Sequence, residues 1–79
     1  MPLFYFNIVS GGAVVKDLEG TKLDTVARAR QEAINDARAL MSEAILAGTD
    51  ISGRSILVLD EHGAVVVTVP FTEAFTKEI

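Results

Sequence analysis

Residues 24–48 are the one long stretch of this chain with a helical period, and they constrain how everything else can fold. Counted at about 100° per residue, Val26, Ala29, Ala33, Ile34, Ala37, Leu40, Met41, Ala44 and Ile45 share one side. Arg28, Gln31, Glu32, Asn35, Asp36, Arg38, Ser42 and Glu43 fall on the other. A helix that is apolar on one side needs a layer to lie against. Asp24 or Thr25 stands where a side-chain oxygen can cap the first free N–H groups, and Gly48 is the natural left-handed stop. Ala33, Ala37 and Ala44 form the middle of the apolar side, and their small side chains let a helix approach a sheet closely.

The flanks read as strands. In residues 3–9, Phe4, Phe6 and Ile8 point to one face and Leu3, Tyr5, Asn7 and Val9 to the other. Ser10-Gly11-Gly12 supplies a hairpin turn and residues 13–16 return antiparallel. A second turn at 17–20 leads into the helix. Beyond Gly48 a polar connection precedes strands at 56–60 and 64–69, joined by Asp60-Glu61-His62-Gly63 and closed by Pro70, which has no N–H to give to a ladder. Phe71, Phe75 and Ile79 recur every four residues, a spacing that suits a short terminal helix. The order strand, strand, helix, strand, strand predicts an α+β fold: one antiparallel sheet with the long helix on one face.

At 79 residues this is a single domain, of a size that buries only about 60% of its unfolded surface. It has no cysteine, so disulfides and thiolate metal sites are excluded, and stability must come from its 49% hydrophobic content or from self-association. The net charge is −4 with the two signs interspersed, which argues against general nucleic-acid binding. The apolar opening residues are too few to span a bilayer and break at Ser10-Gly11-Gly12, so no membrane association and a cytoplasmic setting are expected. One helix covers one sheet face. Leu57 and Leu59 alternate with Ile56 and Val58, and Val65, Val67 and Val69 with Ala64, Val66 and Thr68, which leaves a second face partly apolar. A homodimer is expected to cover it, with Leu3, Tyr5, Val65, Val67, Phe71 and Phe75 as the candidate interaction surface.

Residues that could carry chemistry are few. His62, the only histidine, lies in a predicted turn with no second histidine at ligand spacing, and a solvent-facing role is the favoured reading. Ser10-Gly11-Gly12 and residues 52–55 are the two loops that could hold an anion on backbone N–H groups. The second has an arginine and two hydroxyls, so Ser52, Arg54 and Ser55 form the candidate ligand loop. Asp17, Glu19, Asp60 and Glu61 put four carboxylates in two turns, which matter as a site only where the turns meet. Arg28 before Glu32 is the helpful helical ion pair, and Arg30 can cover the sheet margin with its stem. No nucleophile–base pair, phosphate loop or metal cluster is legible, and no catalytic residue, metal or cofactor is expected.

The opening LFYFNIV, the Gly11-Gly12 turn, the segment KDLEGTKLDTVARARQEA and the loop DISGRSILVLDEHGAVVVTVPF resemble a family of short bacterial proteins of unknown function. The most specific positions are Asp17, Glu19, Gly20, Ser52, Gly53, Arg54, Asp60, Gly63, Pro70 and Phe71. The resemblance implies an α+β fold and a bacterial, cytoplasmic setting, and brings no activity or ligand. A looser likeness is to HicB-type antitoxin domains, which also run from a strand hairpin into an Ala-rich helix. The expected function is therefore a non-catalytic interaction module that self-associates. The alternatives are an antitoxin-like regulatory partner of another protein and a small-ligand or anion binder.

Overall fold

The structure, a computed structural model, describes residues 1–78. Its elements are β1 (Leu3–Ser10), β2 (Ala13–Val15), β3 (Thr21–Lys22), α1 (Val26–Leu46), β4 (Ser55–Leu59), β5 (Val65–Pro70) and a 3₁₀ turn (Phe71–Ala74). The fold is α+β, as the sequence predicts, with all strands antiparallel in the order β2-β1-β4-β5 and β3 pairing the start of β1. β3 is an addition to the expected pattern. Two residues carry too little periodicity to read as a strand, and Thr21 and Lys22 earn the name only by pairing with Phe4 and Leu3.

Both ends of α1 are closed as the sequence suggests. Thr25, in extended backbone, accepts the Arg28 N–H on Oγ1 at 3.1 Å. At the other end Gly48 takes a φ of +86°, which lets its N–H reach the Ile45 carbonyl at 2.9 Å and the Thr49 N–H reach Ala44 at 2.8 Å. Ala29, Ala33 and Ala37 are fully buried, so the helix axis lies close to the sheet. Leu40, Met41 and Ala44 pack at the margin of the core, while Val26 and Ile45 at the ends of the apolar stripe stay exposed. Arg28 pairs with Asp24 at 3.7 Å rather than with Glu32, a step toward the helix start in place of the expected step away from it.

The sheet presents Phe4, Phe6, Ile8, Ile56, Val58, Val67 and Val69 to the helix. Phe71 closes this core. It is fully buried, and its N–H donates to the Arg54 carbonyl at 2.9 Å, so the chain turns under the helix immediately after Pro70. Full burial of a side chain like this contributes about 1.5–3 kcal/mol. The expected terminal helix is this short 3₁₀ turn, and two arginines of α1 hold it. Arg38 Nε donates to the Ala74 carbonyl at 2.6 Å, and Arg30 lies 3.5 Å from Glu73. Ile79, the last residue of the predicted Phe71–Phe75–Ile79 stripe, lies outside the described residues.

The strand β5 departs from simple alternation. Val58 faces Val67, but Leu59 faces Val65, so Val66 is an extra residue in a β-bulge. Val65 and Val67, expected on one face, are thereby separated: Val67 enters the core and Val65 stands on the opposite face, 54% exposed.

Candidate functional site

The face of the sheet away from α1 has no covering layer among the described residues. Its cross-strand pairs are Tyr5 with Leu59, Asn7 with Leu57, Val9 with Val14, Leu57 with Thr68 and Leu59 with Val65. Apolar side chains from four strands thus adjoin one another, with Asn7 and Thr68 as the polar members. Val14, Val65 and Leu18 are exposed outright, and Tyr5, Val9, Leu57 and Leu59 are half-buried by their neighbours alone. Of the six candidate interaction residues, Leu3, Tyr5 and Val65 stand on this face. Val67 and Phe71 do not: the bulge turns the first into the core, and the 3₁₀ turn buries the second beneath the helix. Phe75 is half-exposed on the helix side of the molecule, against the second half of α1.

Neither edge of the sheet offers a long free ladder. Along β1 the outer neighbours β2 and β3 leave a gap at Tyr5–Asn7, and the Asp17 side chain fills it. Its Oδ2 accepts the Phe6 N–H at 3.2 Å, its Oδ1 accepts the Glu19 and Gly20 N–H groups at 3.1 Å each, and its own N–H donates to Asn7 Oδ1 at 3.0 Å. Partial burial works against the charge of this carboxylate. The N–H donors of Gly20, Phe6 and Glu19 outweigh it and hold the group below the usual carboxylate range. Gly20 completes the turn at φ +74°, where an added Cβ would meet Leu3 and Tyr5 side-chain atoms at 3.0 Å. On the far edge, β5 is interrupted by the bulge at Val66 and by Pro70, both devices that blunt edge pairing.

The two acidic turns do meet, at one end of the open face. Asp17, Asp60 and Glu61 share a concavity of about 370 Å³ with Tyr5, Asn7, Lys16, Leu18, Leu59 and Gly63. Asp60 Oδ1 is engaged in its own turn, accepting the His62 and Ala64 N–H groups at 2.9 and 3.0 Å. Among the described residues no group of three or more His, Asp or Glu side chains is placed to hold a metal ion. His62 is exposed at the turn.

The candidate ligand loop is not brought together. Ser52 lines a groove beside the end of α1, Arg54 lines a different concavity of about 320 Å³, and Ser55 is committed to the sheet, paired with Val9 and Pro70. Arg54 does meet the other loop singled out in the sequence, since Ser10 and Gly11 line the same concavity. Asp50 stands there as well, and the Ser52 N–H, followed by the Ser52 hydroxyl, holds its carboxylate below the ordinary range. An acceptor therefore occupies the N–H group an anion would need.

Sequence reading missed two things here. The first is the groove of Arg38, Ile45, Leu46 and Phe75, signalled only by apolar residues at the far end of the helical stripe. The second is Asp36, assigned to the polar side of α1. It is half-buried beside Phe6, Ile8 and Ile56, and burial, then the charges of Glu32 and Asp17, push its carboxyl above the ordinary range.

The arrangement of turns and strands covers the same ground as a family model described as a domain of unknown function, DUF6894, which matches residues 3–72. The chain belongs to this family. The DUF6894 match runs from the first residue of β1 into the 3₁₀ turn, so the open face, both blunted edges and the acidic turns all lie within it. No protein of curated function and no solved structure is significantly similar to the chain. Nothing in these comparisons adds to the looser HicB likeness. No helix among the described residues is long and apolar enough to cross a membrane.

Proposed function

We propose that this DUF6894 protein is a non-catalytic interaction module that works as a homodimer, two copies meeting through the open faces of their sheets. The single observation that carries the reading is the uncovered apolar face built from Tyr5, Val9, Leu57, Leu59 and Val65. Contiguous apolar surface of this kind marks an interaction site, and a two-fold axis lets one patch serve both subunits. The blunted edges favour face-to-face packing over strand addition. A non-catalytic role is in keeping with a lone exposed histidine and with carboxylates that close their own turns. A bacterial, cytoplasmic setting belongs to the same reading.

The test is sedimentation velocity over a dilution series in the micromolar range. The wild-type chain is expected at twice its own mass, and Leu57→Lys, at the centre of the face, at its own mass with an unchanged far-ultraviolet spectrum. A wild-type monomer throughout the series would overturn the proposal.

A further inference from the structure

We propose that the groove between the second half of α1 and the segment after the 3₁₀ turn binds a medium-chain carboxylate, an amphiphile with one anionic head and an unbranched apolar tail. The groove is open to solvent on one side and has a volume of about 650 Å³, within the range of about 300–1,000 Å³ typical of small-molecule sites. Three of the large apolar side chains the molecule leaves exposed gather in it: Ile45 at 63%, Leu46 at 87% and Phe75 at 43%. Such a cluster is unlike the singly scattered apolar residues of an ordinary surface.

The polar groups around this apolar trough fix the sign and direction of the ligand. Arg38 and Lys77 both line it, and among the described residues neither has a carboxylate partner, whereas Arg28 and Arg30 are paired with Asp24 and Glu73. Arg38 spends only its Nε on the Ala74 carbonyl, which anchors the guanidinium and leaves its two Nη groups for an incoming oxyanion. Two cations without a carboxylate partner, lining one groove of a chain of net charge −4, form a local exception to its acidic field. Asp50, which follows α1, lines the groove too, and the final turn of the helix contains no basic residue to offset its charge. Ile45 lies seven positions after Arg38, about 10 Å along the helix axis. A carboxylate head at Arg38 therefore has Ile45 within reach of its tail, and a head moved toward Asp50 meets like charge.

Calorimetric titration of the full chain with decanoate, decanol and decyltrimethylammonium, each below its micelle-forming concentration, tests this. Decanoate is expected to bind saturably, one per chain, with decanol weaker by about tenfold or more, as the loss of a charge-assisted pair implies. Lys77→Ala should bring decanoate toward decanol. Ile45→Gln should weaken both by about tenfold with no change in folding, since the site is exposed, and Phe75→Ala provides a second route to the same result. Equal affinity for decanoate and decanol, tighter binding of the cationic amphiphile, no saturation, or undiminished binding in both apolar variants would each overturn the assignment. The groove shares no residue with the open sheet face, so this result and the dimer measurement stand or fall separately.

Discussion

Asp17 does at one position what a strand would otherwise do. Its carboxylate accepts the Phe6 N–H where backbone pairing of β1 is interrupted, together with the Glu19 and Gly20 N–H groups of its own turn, and it does so charged. Asp17→Asn keeps the shape and one acceptor oxygen but loses the second acceptor and the charge. The expected loss is about 1–3 kcal/mol at neutral pH, read by urea unfolding. Because the folded group titrates below its unfolded value of about 3.9, this contribution is complete above that pH and fades as pH falls through the folded value. The gap between wild type and Asp17→Asn should therefore narrow in acid. Asp36 acts in the opposite sense: its raised pKa makes stability decline as pH climbs through the range just above the ordinary carboxylate value. Of these two groups, Asp17 therefore contributes least in strong acid, and Asp36 costs most once it is ionised. In the sequence Asp17 looked like turn chemistry, which it is. Its bond to Phe6, eleven residues back, could not be read, because local pattern carries no information about a gap in an edge.

Periodicity made some elements plain and hid others. The helix was legible because twenty-one residues repeat one signal, and its caps sit at residues whose chemistry permits little else. The hairpin strands were legible from alternation, including the correct sorting of Phe4, Phe6 and Ile8 from Tyr5, Asn7 and Val9. β5 failed because a run of three valines reads equally well in either register, so a bulge leaves no mark in it. The bulge predicts its own removal. Deleting Val66 leaves Val67 opposite Val58 and Val65 opposite Leu59 with no extra residue between them, so the register on both sides survives. The deletion variant should fold with a native circular-dichroism spectrum. Its straightened edge should show increased light scattering on concentration relative to the wild type. Loss of folding would show that the bulge is required by the turn at 60–64 rather than tolerated.

As a whole the molecule is a slab, 37 × 27 × 17 Å, with a radius of gyration of 12.7 Å against about 11.6 Å for a compact chain of its length. A sheet with a helix on one side and, among the described residues, no layer on the other accounts for the flatness. The sequence foretold the uncovered face from the apolar content of both sides of β4, though it could not say which of its candidates would be taken by the core. If the slab is half of a dimer, folding and association are one equilibrium, and stability depends on concentration. The melting temperature should rise by about 3–6 °C for each tenfold increase in protein concentration. A melting point independent of concentration would leave the slab folded on its own resources.

The pairing at the centre of the sheet also sets the order in which the protein can come into being. β1 leaves the ribosome before the other strands, yet the strand that completes its inner edge, β4, lies 46 to 54 residues downstream. At about 5–20 residues per second the first hairpin waits about 2–11 s for its partner. It waits with Phe4, Phe6 and Ile8 uncovered on one side and Tyr5 and Val9 on the other. The first structure able to shelter it is α1, which forms from local contacts and is finished before β4 is made. The chain thus leaves these residues open until β4 arrives, and the helix is the earliest element able to shield them.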